Sequence, residues 1–389
     1  MKSLNIAFVA DGVTHIISGA TISSLRFAER LAARGHNVIF LAARKRGEGE
    51  VSYHEGLKIY RFPSIVLPGS KGKIAAAFPS PKRVKKILER ERIDILHITD
   101  PTPSAFVCIR AARKLGLKVV AHCHLQPENW YSYLPAMFRS RRLDGPIYRL
   151  MVRLYRKMDA VIIPSRFGES QLRRYAPNLN IHVISNGVDL SVFRKAECHD
   201  FRERYGLSPE DRVLLYVGRL SPEKSPATLI EAMPFVVQEF RNTRLVITGE
   251  GPLRAGLERL AMRLGVDRSV TFLKRLTLGD LIQAYNACEM LILPSIVELE
   301  GMVVLEAMAC GKPVLISDSD RSASNGFVRE NGFVFRLQQA EDLAAKALIL
   351  LRDDGLRRRM GAASTREAKA YDINGSVDKL EALYRELVK

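Results

Sequence analysis

The sequence predicts an α/β protein of two doubly wound, parallel-sheet domains, and three observations predict it. Short apolar runs such as NIAFV, ILHI, VLLYV and MLIL alternate with longer amphipathic segments. Glycines stand where several of those segments should stop, as at Gly35, Gly116 and Gly311. The alternation breaks once, over a polar stretch after Asp189, and then restarts.

Taken in order, LNIAFVADG reads as a first strand and its turn. SGATISSLRFAERLAARGHNVIFLAAR gives loop, helix and second strand, with Ile22, Leu25, Ala28, Glu29, Leu31 and Ala32 carrying the helical period. KIYRFPS is a further short strand. PKRVKKILERERIDILHITD gives a basic helix and the strand over Ile95–Ile98, and SAFVCIRAARKLGLKVVAHCH repeats the pattern. IYRLMVRLYRKMDAVIIPS gives another helix and strand, and IHVISNGVD one more strand. The second half reads VLLYVGRL, TLIEAMPFVVQEF, LVITGEGP, LRAGLERLAMRLG, VTFLKRL, LGDLIQAYNAC, MLILPS, a helix through Val303–Met308, VLIS and FVF, before closing helices. The expected division is a first domain over 1–190, a linker region over 191–209 and a second domain over 210–370. A last helix over 371–389 is expected to pack back on the first domain. Two such halves leave a central cleft for a ligand.

The 389 residues are enough for two or three domains with their own cores. The composition, 47% hydrophobic and 26% charged, is that of a soluble globular protein. No apolar run approaches the ~20 residues of a membrane span. The opening MKSLNIAFVADG reads as a strand and turn, not a secretory leader. Five scattered cysteines (Cys108, Cys123, Cys198, Cys288 and Cys310) include no C-x-x-C pair and are expected to be reduced packing residues of a cytoplasmic protein. Sixty Lys+Arg against 42 Asp+Glu give +18, which favours a polyanionic partner: nucleic acid, an anionic membrane face or a phosphorylated small molecule.

Three strand-to-helix turns of the second half concentrate chemistry. VGRLSPEKS places Arg219 and Lys224 beyond a strand end, and an arginine fork with a lysine point charge suits a diphosphate better than a core. ITGEGPLR places Gly249 and Gly251 where the backbone must approach something closely, ahead of a helix N-terminus that favours anions. PSIVELEGMVVLEAMACGKPV sets Glu298 and Glu306 eight positions apart around Gly301. Glutamate is rarely buried unpaired, and ligands of parallel sheets sit at such turns. A solvated loop residue and a helix cap would explain the two glutamates equally well if they stood alone.

Together, GRLSPEK, GEGP and PS–Glu298–x7–Glu306–AMACGKPV resemble the retaining glycosyltransferases of the GT-B fold, specifically the glycogen-synthase-like family 4. IPSRFGES, VISNGVDLSVF and SGATISSLRFAERLAARGH match that family more loosely, so the resemblance covers nearly the whole chain. It implies that Arg219 and Lys224 bind the diphosphate of a nucleotide-sugar donor and that Glu306 holds the ribose hydroxyls. Glu298 would face the transferred sugar, and the backbone of Gly301, Met302 and Val303 would bond sugar and phosphate. Gly19 would let the N-terminal loop approach the donor, and His124 would sit beside the sugar. His122 stands two positions away, and chemistry alone does not choose between the two histidines. The implied reaction is front-face transfer with retention, with no metal and no other cofactor, because the two cations neutralise the leaving group. Neither glutamate is expected to act as the nucleophile of a retaining hydrolase. Asp318-Ser319-Asp320 spells the metal-binding D-x-D of another glycosyltransferase fold and is read here as a loop.

Departures from the family pattern narrow the expectation. Leu299-Glu300 interrupts the usual E-G-F-G, SDSDRSASNGF replaces G-G-x-x-E, and AHCHLQPENW replaces a short H-x loop. These features look more like the bacterial diacylglycerol and sterol glucosyltransferases. Two basic stretches agree with a lipid acceptor. Residues 139–157 hold seven Arg/Lys against one Asp, with Tyr148 and Tyr155 interleaved, and Lys71–Lys86 holds six. In the helical part, Arg149, Arg153 and Arg156 fall on one side and Ile147, Met151, Leu154 and Met158 mostly on another. Such a surface suits an anionic leaflet, although a helix packed on a sheet with a solvated basic face looks the same. The expectation is therefore a hexosyltransferase using UDP-glucose or a similar donor, peripheral on the inner face of the cell membrane, with a lipid acceptor. A soluble sugar or polyprenyl-linked glycan is the alternative acceptor. A nucleic-acid binder is the alternative class; no zinc spacing, aromatic RNP motif or helix-turn-helix signature supports it. A GT-B phosphorylase or hydrolase is a further alternative; a pyridoxal phosphate phosphorylase would be much longer.

Overall fold

The computed structural model describes every residue except Met1, 14–17, 67–74, Leu125, 128–142 and His199. The chain forms two compact units. One comprises Met1–Leu125, Arg142–Asn186 and Ile373–Lys389; the other comprises Gln126–Arg141 and Gly187–Asp372.

In the first unit the strands are β1 (Asn5–Val9), β2 (Asn37–Ala43), β3 (Val51–His54), β4 (Leu57–Phe62), β5 (Ser64–Val66), β6 (Ala75–Ala77), β7 (Ile95–Ile98), β8 (Lys118–His122), β9 (Ala160–Ile163) and β10 (Ile181–Val183). Eight of them make one sheet in the order β10-β9-β8-β7-β1-β2-β4-β3, parallel throughout except for β3. β5 and β6 form a separate antiparallel pair. The helices are α1 (Gly19–Ala33), α2 (Pro81–Arg90), α3 (Pro103–Lys114), α4 (Asp144–Tyr155) and α5 (Arg166–Arg173). Ser18 caps α1 by accepting the Thr21 amide, and Gly35 takes the positive φ that ends it.

The buried face of α1 differs from the expected stripe. Ser23, Ser24, Phe27, Ala28 and Leu31 face inward, while Ile22, Leu25 and Glu29 are half-exposed. The serines are tolerated there because each has a partner: Ser23 donates to Asn186 at 2.6 Å, and Ser24 and Thr99 share a hydroxyl bond at 3.0 Å. α4 also corrects the sequence reading. Tyr148, Met151, Val152 and Tyr155 form the stripe that packs inward, so neither tyrosine is available to a surface. The outward face carries Leu150 among Arg149 and Arg153.

The second unit is built on β11 (Arg212–Val217), β12 (Thr243–Thr248), β13 (Val270–Leu273), β14 (Met290–Leu293), β15 (Val314–Ser317) and β16 (Gly332–Phe335). These strands lie in the order β13-β12-β11-β14-β15-β16 and are all parallel. The order reverses between β11 and β14, which makes the ends of those two strands the topological switch point. The helices are α6 (Phe201–Arg204), α7 (Ala227–Glu239), α8 (Arg254–Arg263), α9 (Leu278–Ala287), α10 (Met302–Ala309), α11 (Ala340–Arg352) and α12 (Asp354–Ala368). Residues 191–209 were expected as a linker. Phe193, Phe201 and Leu207 instead belong to this unit's buried core, and the stretch reads as polar only because its apolar residues are sparse.

The chain ends in α13 (Ile373–Leu387), which belongs to the first unit. Its Ile373, Val377, Leu380, Leu383 and Tyr384 join the core that holds Phe8, Phe27 and Phe40. Arg34 bonds Asp378 at 2.7 Å and Glu381 at 3.1 Å. Burial alone would raise the Glu381 carboxyl, but Arg385 and Arg34 hold it down at about 2. Deeper in, the Tyr384 hydroxyl and His97 Nδ1 share a hydrogen bond. His97 stacks on Phe8 at 4.5 Å, and the His97 and His122 rings lie 5.7 Å apart.

Tyr384→Phe strips a buried ring nitrogen of its partner and should lower the unfolding free energy by about 1–3 kcal/mol, measured by urea denaturation. Burial also pushes His97 and His124 down to about 3, and His122 is lowered by burial with the two neighbouring rings. These rings stay neutral in the fold, whereas the unfolded chain protonates them below the ordinary value of 6.5. Their contribution is complete above that value and is lost as pH falls toward 3. Thermal unfolding at a series of pH values should show the midpoint dropping between pH 7 and pH 5, and a flat midpoint would contradict the assignment.

Candidate active site

In the second unit Arg219, Lys224 and Glu298 come from the two loops at the switch point. The loop after β11 carries Arg219 and Lys224, and the loop after β14 carries Glu298. Because β11 and β14 are hydrogen-bonded neighbours, the two loops meet. Lys224 Nζ donates to Glu298 Oε1 at 2.6 Å and lies 3.4 Å from the Val297 carbonyl. Ser295 donates to the same Glu298 oxygen at 2.9 Å. Both charged side chains are mostly covered, 20% and 13% exposed, so the pair is held rather than tethered in bulk water.

Arg219 is half-exposed beside this clamp, and its carbonyl accepts the Tyr216 hydroxyl at 2.9 Å. Glu223 lies beneath it. One carboxylate oxygen accepts from Ser221 at 2.6 Å and sits 3.9 Å from Arg219 Nη1. The other oxygen is buried with no hydrogen-bond partner. The Glu223 carbonyl accepts the Ile296 amide at 2.8 Å, which ties the cation loop to the glutamate loop through the main chain as well. The cation loop turns at Ser225, whose φ of 45° and ψ of 44° are left-handed.

Gly249 and Gly251 do approach another backbone closely, and that backbone is the Arg219 loop. A Cβ on Gly249 would stand 1.9 Å from the Gly218 carbonyl oxygen, and one on Gly251 would stand 2.1 Å from that of Leu220. The contact is sealed by Leu220 donating to the Glu250 carbonyl at 3.0 Å and Leu253 donating to that of Leu220 at 3.1 Å. The sequence reading saw the close approach without its target.

Gly301 is the N-cap of α10 at φ 96° and ψ 62°, and a Cβ there would meet Ser324 Oγ at 2.3 Å. Met302 and Val303 open the helix with amides in its first turn. Glu306 is 5% exposed and accepts the Tyr285 hydroxyl at 2.9 Å from α9. Asp318 accepts the Leu337 amide at 2.7 Å, a loop contact. Sequence reasoning missed Tyr216, Ser221, Glu223, Tyr285 and Ser295. The E of PEK was the one signal present, since it stands between the two cations.

The remaining candidates lie in the first unit. Gly19 is exposed as the first residue of α1. His124 follows β8, its ring stacked on His122 at 3.9 Å with Nε2 buried and unpartnered.

Gly249→Ala should cost at least about 2 kcal/mol in urea unfolding, since neither its φ of 141° nor the Gly218 carbonyl leaves room for a methyl group. An unchanged midpoint would show that the two loops yield freely.

The comparisons with known proteins fit this geometry. Residues 17–192 match the family described as Glycosyltransferase Family 4, and residues 199–367 match Glycosyl transferases group 1. An alpha-monoglucosyldiacylglycerol synthase from Streptococcus pneumoniae is 25% identical over 318 residues, 80% of this chain and 70% of that protein. Sucrose-phosphate synthase from Thermosynechococcus elongatus superposes with a TM-score of 0.81 at 22% identity, covering 99% of both chains. HepE from Anabaena, solved with UDP and glucose, superposes with a TM-score of 0.77 at 19% identity over 98% of this chain and 99% of that one. With a Family 4 domain followed by a group 1 domain, on the fold these structures share, the chain belongs to the GT-B glycosyltransferases of family 4.

Proposed function

We propose that this glycosyltransferase moves a hexose, with retention, from a nucleoside-diphosphate sugar such as UDP-glucose to a hydroxyl of a membrane lipid such as diacylglycerol. The observation that carries the proposal is the clamp in which Lys224 is held on Glu298 beside Arg219, at the switch point of the second sheet. A leaving diphosphate develops negative charge as its bond to the sugar loosens. Two cations fixed in advance stabilise that charge without reorganising. Arg219 supplies a fork for phosphate oxygens and Lys224 a point charge. Gly301, Met302 and Val303 add main-chain donors at a helix start.

Glu306, oriented by Tyr285, accepts the two ribose hydroxyls, and Glu298, oriented by Ser295 and Lys224, accepts hydroxyls of the transferred sugar. His124, kept neutral by burial, offers a hydrogen bond to the sugar without adding charge beside an oxocarbenium-like centre. Gly19 leaves the start of α1 free of a side chain next to the donor. The acceptor hydroxyl attacks the face the diphosphate leaves and passes its proton to the departing phosphate, so no side chain acts as nucleophile. The cation role is filled by Arg219 and Lys224, and the reaction needs no metal or other cofactor. Support for UDP comes from the HepE complex, and support for a lipid acceptor from the named activity of the Streptococcus pneumoniae relative. The protein then works as a peripheral enzyme on the cytoplasmic face of the membrane.

The test is a panel of UDP-, GDP- and ADP-sugars against lipid and soluble acceptors, read by mass spectrometry, with the anomer assigned by NMR. An α-linked glycolipid from a UDP-hexose is expected; an inverted anomer or a soluble product alone overturns the reading. Arg219→Ala, Lys224→Ala and Glu306→Ala should each cut turnover by at least about a hundredfold with the fold intact. Turnover should persist in EDTA, and abolition with rescue by magnesium or manganese would contradict the metal-free mechanism.

A further inference from the structure

Away from the candidate site, α3 and α4 enclose an open groove of about 650 Å³ on the first unit. Ile109 and Leu154 line it with apolar side chains, and Arg110, Lys114 and Lys157 line it with cations. Phe106 stands in the groove 53% exposed, and Leu150, one helical turn before Leu154, is 61% exposed. On α3 the lining positions recur three and four residues apart, so they form one continuous face.

Only one cation of this face is compensated. Arg113 bonds Asp159 at 2.9 Å, and that carboxylate also accepts the Val119 amide at 2.7 Å. α3 contains no acidic residue, and α4 contains only Asp144 in its first turn. Arg110, Lys114 and Lys157 form no ion pair among the described residues. Exposing a phenylalanine and a leucine costs hydrophobic free energy that the adjacent core does not recover.

We propose that the α3–α4 face seats the first unit on an anionic phospholipid leaflet. Phe106 and Leu150 enter the acyl boundary, and Arg110, Lys114 and Lys157 meet lipid phosphates. Apolar side chains ringed by unpaired lysines and arginines are the pattern of an interfacial surface. A nucleic-acid surface would use the cations but leave Phe106 and Leu150 without an apolar partner. The inference supplies a surface for the lipid-acceptor reading above, yet it is measured without turnover.

The full-length protein is mixed with vesicles of phosphatidylcholine alone, or of phosphatidylcholine with phosphatidylglycerol, and sedimented. Wild type should bind the anionic vesicles and not the neutral ones. Arg110→Glu/Lys114→Glu/Lys157→Glu should weaken that binding by about a hundredfold. Phe106→Ser/Leu150→Ser should weaken it by about tenfold or more with all charges kept. All positions are solvent-facing, and circular dichroism checks that the variants fold. Anionic binding unchanged in both variants, no preference for anionic vesicles, or equal loss of single-stranded RNA binding at ~150 mM salt overturns the proposal. Lost vesicle binding without any glycolipid product leaves the surface standing and refutes the acceptor. Glycolipid formation on detergent-dispersed lipid, with vesicle binding unchanged in the variants, does the reverse.

Discussion

The ion pair between Lys224 and Glu298 depends on a strand pairing. β11 and β14 are far apart in sequence but adjacent in the sheet, and their loops carry opposite charges to one place. The pair is partly desolvated, so removing either member strands a charge in a poorly hydrated setting. Its surroundings are pinned in turn. Ser317, at the end of β15, donates to the Ser295 carbonyl at 2.7 Å, and the Ile296 amide donates to Glu223. Three neighbouring strand ends therefore determine one carboxylate's position, and Glu298 has little freedom of its own.

The first unit handles buried polarity differently. Its switch point lies between β1 and β7, and the turns there carry Asp11 and Asp100. Burial with the neighbouring Asp11 raises the Asp100 carboxyl to about 6. Asp11 is also raised by burial, although Ser104 at 2.7 Å and the Ala77 amide at 3.2 Å favour its charged form. The buried His97, His122 and His124 of the same unit are likewise held toward their neutral form by burial. The second unit instead places the Lys224–Glu298 ion pair at its switch point.

Much of this was legible from the chain because parallel strands buried on both faces read as unbroken apolar runs. MLIL and VLIS coincide with Met290–Leu293 and the residues of Val314–Ser317. The edge strand β3 was not read because it is short and carries exposed residues, and the β5–β6 pair because each strand is only three residues long. Arg219 and Lys224 stood out by residue type, as cations in a turn beyond a strand end. Tyr285 and Ser295 could not announce themselves, because each acts only by touching a glutamate that the fold brings to it. The α1 stripe was misjudged for a related reason: buried serines look like solvent-facing ones until Asn186 and Thr99 arrive from elsewhere. The supposed linker failed on three large apolar residues spaced too widely to show a period.

The return of α13 has a consequence in time. His97 and its partner Tyr384 are 287 positions apart. At roughly 5–20 residues per second, a ribosome needs about 15–60 s to deliver the second after the first. Throughout that interval the first sheet has most of its strands but lacks the helix that covers Phe8, Phe27 and Phe40. The nascent first unit therefore keeps that part of its core uncovered until α13 has been made. A stop codon ahead of α13 removes the cover from the oldest part of the chain as well as the newest residues.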